Sequence, residues 1–487
     1  MAASKDDITT KDFALTTVLA LIEDYHSFNP DTTVPTYAYP THLEFSKQVA
    51  RGRPCVYRLD RTVVQDSHAT NKGGARGETN DKGKDEFLQN DEEKQKPSFL
   101  QDVECRRLRE EQRSILSAPC WSWTKKSLCD LVQEEVEVAV TPDGRADALY
   151  SLPLRRLRPR AQGHALDNEG GKQRDDHVGG HGDERGQAGV DQQDESECEC
   201  EDEGVGEGEA EAEQIFLQPA TTSMTLSTLI DRLCPSNVSP SPSPSPVYYL
   251  QSQNSNLHTS PLSRLLPSLP PTPPPFSAAV LGAPEAVNLW IGNASSVTST
   301  HRDPYENLYL VVKGRKRFVL FSPVEEVCLH AQRVRTGRWR WVFVDDDDGE
   351  KGKFEVVMDD DDDDDDDDGN DDNDNDNRIP WIPIDPLRPP PATSQKFPYY
   401  RHARPLSVTV SEGEILYLPA GWFHHVSQEC GFWKGHEQGD NDDATAMVAP
   451  CIAVNYWFDM DYSGEKHVMR EMVGRLVERT RIATENG

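Results

Sequence analysis

The chain has 487 residues, with 84 acidic against 51 basic side chains and a net charge of −33. That balance argues against nucleic acid as a partner, and no apolar run is long enough to span a bilayer as a helix. Residues 161–214 carry 18 acidic and 3 basic side chains and residues 343–378 carry 20 and 3, so the rest of the chain is nearly neutral and the acidity belongs to inserts.

In chain order, Phe13–Ile22 reads as the middle of an amphipathic helix ending near Asp24; the preceding Asp6, Asp7 and Asp12 are the wrong charge for a secretion signal. A second helix is expected over His42–Ala50 and a strand over Arg53–Arg58. Asp66–Lys96 is too polar to pack and reads as a disordered loop. Trp121, Trp123, Leu128 and Leu131 mark a packed helix, Val136–Thr141 alternates like a strand, and Pro142-Asp143-Gly144 is a turn. Residues 158–214 are a low-complexity acidic insert, Ile215–Leu233 has helical periodicity, Val247–Gln251 is a strand, and Pro261–Pro275 is a proline-rich connection. From Val287 onward, strands are expected at Val287–Ile291, Asn307–Val312, Lys316–Phe321, Leu406–Val410, Glu414–Leu418, His425–Gln428 and Cys451–Phe458. Short strands at this spacing predict a sandwich or barrel. An acidic insert over 345–378, with its Asp359–Asp368 run, interrupts the series. A helix over 464–480 closes the chain, with Val468, Met469, Met472, Val473 and Leu476 on one face.

The chain is thus divided into an N-terminal supporting part (1–157, with loop 66–96), an acidic insert (158–214) and a β-rich core (215–487). Its ten cysteines follow no zinc-finger spacing and read as reduced thiols, and the default location is cytoplasm or nucleus.

His301-Arg302-Asp303 is the pattern that carries chemistry. Residues i and i+2 of an extended segment point the same way and reach one metal. With a distant histidine they make a two-histidine, one-carboxylate iron(II) site with open positions. His181-Gly182-Asp183 and His42-Leu43-Glu44 have a similar form, but the first lies in a stretch too polar to fold and the second in a predicted helix. Only His301 precedes an apolar strand, a Lys-Gly-Arg-Lys turn and a second apolar strand. His424 and His425, in Leu416-Tyr417-Leu418-Pro419-Ala420-Gly421-Trp422-Phe423-His424-His425-Val426, compete for the third place.

Asn288–Pro323, Trp381–Leu387, Glu412–Val426 and Cys451–Tyr462 resemble JmjC-type cupin oxygenases, most closely their lysyl-hydroxylase branch. Arg53-Pro54-Cys55, Val138–Gly144 and Val247–Gln251 belong to the same resemblance, which covers nearly all the folded chain outside the inserts. It implies a mainly β double-stranded β-helix (jelly roll) with flanking helices. It further implies Fe(II) held by His301, Asp303 and His424, because the family's ligand lies five residues after the proline that is Pro419 here. Lys316 would hold the distal carboxylate of 2-oxoglutarate, and Thr298, Asn307, Tyr249 and Asn455 match polar positions lining that pocket. With O2 as the second cosubstrate, the implied reaction is C3 hydroxylation of a lysine in a protein substrate, with GTP-binding proteins of the developmentally regulated class as candidates. Terminal-helix homodimers occur among related enzymes. Asp385 could attract a substrate ammonium or be a surface-turn aspartate. N-methyl-lysine demethylation and a non-catalytic cupin scaffold with acidic tails are the competing readings. No nucleophile–base pair supports a peptidase.

Overall fold

A computed structural model describes residues 5–64, 99–153, 212–235, 245–251, 253–343, 352–359, 378–433 and 447–481. Two compact units are distinguished, residues 1–150 with 214–487 and residues 151–213. Little of the second is described, and the first holds the β-rich core.

The core strands are β1 (Ala286–Gly292), β2 (Val297–Arg302), β3 (Tyr305–Lys313), β4 (Arg315–Phe321), β5 (Leu406–Ser411), β6 (Glu414–Leu418), β7 (Phe423–Glu429) and β8 (Cys451–Asp459). One sheet runs Thr36–Ala38, Cys55–Arg58, β6, β3, β8, β1; the other runs β5, β4, β7, β2, Arg145–Ala146. The two share one apolar core, in which Trp290, Tyr309, Val311, Leu416 and Leu418 of the first sheet meet Phe318, Leu320, Leu406 and Val426 of the second. This is the expected double-stranded β-helix. Every strand expected from Val287 onward is present, each within two residues of its predicted bounds.

Helices brace the outside. α1 (Lys5–Phe28) packs Val18 and Ile22 against Val327 and Cys328 of the short helix Pro323–Leu329 and against Val477 of α3 (Glu465–Arg481). α2 (His42–Arg51) starts in a capping box, with the Thr41 side chain accepting from the Glu44 amide and Glu44 from the Thr41 amide. It ends at Gly52, whose φ of 64° is the left-handed stop that glycine takes without strain. The carbonyl of Gly52 accepts from the indole N–H of Trp422 at 3.0 Å, which ties the N-terminal part to the turn before β7. Of the face expected on α3, Val473 and Leu476 pack against α1, but Val468, Met469 and Met472 are exposed.

Three expectations are corrected. The stretch 215–233 is not one helix: strands Ala212–Gln218 and Ala220–Thr225 precede a helix confined to Leu226–Leu233. Pro219 interrupts the run, and Thr221-Thr222-Ser223-Met224-Thr225, with three β-branched threonines, pairs with Glu135–Ala139. The insert 158–214 accordingly ends earlier, at the start of Ala212–Gln218. Gly352–Met358, inside the insert expected at 345–378, is a strand paired along Thr336–Phe343. Its charge is compensated locally, since Glu355 ion-pairs with Arg340 at 2.7 Å and Lys353 at 2.8 Å, and Phe354 packs on Trp341 with ring centroids 4.6 Å apart. The loop 66–96 and the Asp360–Asp368 run lie outside the described residues. Among the described residues no helix is long and apolar enough to cross a membrane.

Candidate metal centre and cosubstrate pocket

β2 and β7 are antiparallel neighbours in the second sheet, and the register sets His301 directly opposite His424. Their rings face each other with centroids 4.3 Å apart. Asp303 follows the end of β2 and reaches both: its Oδ1 is 3.7 Å from His301 Nε2 and its Oδ2 is 3.6 Å from His424 Nε2. The three donor atoms lie within 4.8 Å of one another.

Both rings are oriented in the same way. Nδ1–H of His301 donates to the carbonyl of Ser299 at 2.8 Å, and Nδ1–H of His424 donates to the carbonyl of Trp422 at 3.1 Å. That pairing selects the tautomer whose Nε2 lone pair points at the shared space, the arrangement of metal-ligating imidazoles. Burial pushes the pKa of His424 down to about 4, with repulsion from His301 adding to it, so the ring is neutral near pH 7. Two imidazoles and a carboxylate in this geometry fit iron(II).

His425 alternates to the other face of β7. It is buried, and neither ring nitrogen has a hydrogen-bond partner among the described residues. Burial lowers its pKa, opposed by the carboxylate of Asp385. The carboxylate of Asp385 is taken up by its own turn, accepting from the Leu387 amide and from Arg388 Nε, both at 2.9 Å.

Deeper in the barrel lies Lys316, fully buried on β4. Its ammonium donates to the hydroxyl of Tyr249 at 2.9 Å and sits among the rings of Tyr249, Tyr309 and Trp290, 5.2 to 5.8 Å from their centroids. No carboxylate pairs with it among the described residues. A buried, unpaired ammonium costs several kcal/mol, so this position calls for an anion. Asn455 accepts from the Trp290 indole at 2.8 Å and donates to Asn307 at 3.3 Å, which brings both asparagines to the wall of that chamber. Thr298 is buried on β2, opposite Val426, and no side-chain hydrogen bond joins it to the others among the described residues.

Trp290 and Tyr309 have no signal of their own in the sequence, because aromatic residues in apolar strands read as core. Tyr309 stands two residues after Asn307 on β3 and is paired with Asn455 on β8, so the register brings it into the chamber. The carbonyls that orient the two histidines are backbone groups and carry no residue signal at all.

Residues 41–464 match the cupin-like domain family. The chain belongs to that family. Among curated JmjC proteins, it is 36% identical over 247 residues to the human "Bifunctional peptidase and (3S)-lysyl hydroxylase JMJD7", covering 51% of this chain and 63% of the relative. It is 31% identical over 252 residues to "JmjC domain-containing protein E" of Dictyostelium discoideum, with the same coverages, and 36% identical over 184 residues to "Lysine-specific demethylase JMJ32" of Arabidopsis thaliana, covering 37% and 43%. The chain thus spans less than two thirds of these cupin-like relatives.

Proposed function

We propose that this cupin-like protein is an iron(II)- and 2-oxoglutarate-dependent oxygenase that hydroxylates a lysine of a protein substrate. The observation that carries this reading is Lys316, a fully buried ammonium without a carboxylate partner among the described residues, in the same barrel as the His301, Asp303 and His424 cluster. Iron needs the cluster, and a dicarboxylate cosubstrate needs the lysine.

His301, Asp303 and His424 would hold the metal. Lys316, with the hydroxyl of Tyr249, would bind the distal carboxylate of 2-oxoglutarate by a charge-assisted contact. Trp290 and Tyr309 wall the chamber against water, and Asn307, Asn455 and Thr298 supply its polar rim. Bound iron with 2-oxoglutarate and O2 supplies the oxidising power: cosubstrate, O2 and substrate C–H become succinate, CO2 and C–OH. The chain's own task is to orient the C–H. A cleft of about 480 Å³, lined by Thr300, His301, Trp381 and Phe423, gives a polypeptide access to the donor cluster.

Lysine as target and C3 as position are supported by the activity in the name of the human relative, and GTP-binding proteins of the developmentally regulated class are the substrate candidates that the sequence resemblance implies. The demethylase name of the Arabidopsis relative favours N-methyl-lysine demethylation as the second reading, since hydroxylating an N-methyl group releases formaldehyde. Mass spectrometry of candidate proteins after incubation with Fe(II), 2-oxoglutarate and ascorbate separates them. A gain of one oxygen on lysine, absent with His301→Ala, supports hydroxylation; formaldehyde without that gain supports demethylation; no succinate from any substrate refutes the oxygenase reading. Exposed Val468, Met469 and Met472 on α3 support the homodimer, which a monomeric mass by light scattering would remove.

A further inference from the structure

Asp147 is one of three non-glycine residues with positive φ among the described residues, at 52°. It follows Arg145–Ala146, which pairs in parallel with Val297–Thr298 of β2, and its carbonyl accepts from the hydroxyl of Ser299. The residue is therefore held beside the strand that carries His301.

The Asp147 side chain borders a cavity of about 240 Å³ whose other polar lining includes Glu137, Gln251, Gln253, Gln218 and Thr221. None of its lining residues is basic. Gln251 is 7% exposed, and its Oε1 has no hydrogen-bond partner among the described residues. Among the described residues, neither Asp147 nor Glu137 takes part in an ion pair. Ala139 pairs with Tyr249, so both lie on one face of that sheet, and Glu137 and Gln251, two residues along their strands, continue the same face outward. The cavity extends the face that presents Tyr249 to Lys316.

The geometry points to Asp147, Gln251 and Glu137 as the subsite that receives the ammonium of the substrate side chain while its C–H lies at the metal. The inference rests on the oxygenase reading above. Three acceptor side chains match the three donors of a primary ammonium, and Asp147, held against the strand that carries His301, sets the charged end on that side of a lysine whose carbon chain reaches the donor cluster.

The test loads the full chain with Mn(II) and 2-oxoglutarate. It then offers two peptide pools with randomised flanks, one with central lysine and one with central norleucine, in competition. Captured peptides are read by mass spectrometry. The native protein enriches the lysine pool by about tenfold or more, as a charge-assisted contact gives. Asp147→Asn removes that enrichment, and asparagine tolerates the left-handed backbone. Glu137→Gln, at an exposed strand position, lowers it as well. Equal capture of both pools by the native protein overturns the subsite, and so does unchanged enrichment in either variant, leaving the oxygenase reading in place. Failure of the native protein to bind 2-oxoglutarate overturns that reading and the subsite with it.

Discussion

Replacing Lys316 with methionine sets stability and cosubstrate binding against each other. The side chain is fully buried, with one hydrogen bond, to Tyr249, and three aromatic rings around its ammonium. Without an anion the charge is costly. Replacing buried charge by an apolar side chain of similar volume is neutral or stabilising by about 1–4 kcal/mol. Losing the Tyr249 contact gives back about 1 kcal/mol, so the stability of the ligand-free variant should change by between about −1 and about +3 kcal/mol. Binding moves the other way. A carboxylate about 4 Å from the ammonium, at an effective dielectric near 20, is attracted by about 4 kcal/mol. Truncating one partner of such a buried pair costs roughly 2–5 kcal/mol, which is about 30-fold or more in affinity for 2-oxoglutarate. Urea denaturation of the metal-free protein and calorimetry of 2-oxoglutarate with Mn(II) measure the two sides. A variant that is less stable by more than about 1 kcal/mol yet binds 2-oxoglutarate as the native protein does would make Lys316 a structural residue and refute the reasoning.

His424→Ala should lower tight Mn(II) binding by about 10²-fold or more, while His425→Leu keeps it, because only His424 faces Asp303. Metal titration of a chain lacking residues 360–376 reads this without loose binding by the aspartate run. His330 should make stability pH-dependent. Burial, with the charge of Arg481 adding, lowers its pKa to about 4, and its Nε2 accepts from the Tyr399 amide at 3.2 Å. With the folded pKa below the unfolded value, the unfolded chain binds more protons between about pH 6.5 and pH 4. Stability therefore falls as pH drops through that window, by about 1–2 kcal/mol after discounting for the solvent-reached part of the ring. His330→Gln should flatten the slope in urea midpoints taken from pH 7 to 4.5. Gly144→Ala should destabilise by at least about 2 kcal/mol in the same assay, since φ is +89° and a Cβ would meet the Ser295 carbonyl oxygen at 1.8 Å.

How far each element is legible in the sequence depends on where its information resides. β3 and β8 are buried along nearly their whole length, so their continuous apolar runs stand out as strands without alternation. β2 does not stand out: Val297-Thr298-Ser299-Thr300-His301-Arg302 is polar, is legible only through His301, and owes its extended form to pairing with β7 and Arg145–Ala146. Gly352–Met358 is obscured by the acidic residues around it, because its partner Thr336–Phe343 supplies the compensating arginines and tryptophans from another part of the chain. Donor types and their order are legible in the same limited way. His301, Asp303 and His424 are named by chemistry, but their meeting depends on the register of His301 against His424, 123 positions apart, which local sequence does not encode. Asp147 carries no sequence signal for a related reason. An aspartate after a turn reads as a surface residue, and only its positive φ, its hold on Ser299 and the acceptor-lined cavity beside it separate it from the Asp385 turn, whose carboxylate is already engaged. A carboxylate that the fold leaves without an ion-pair partner among the described residues, next to its metal-ligand strand, is therefore the better place to look for what the substrate brings.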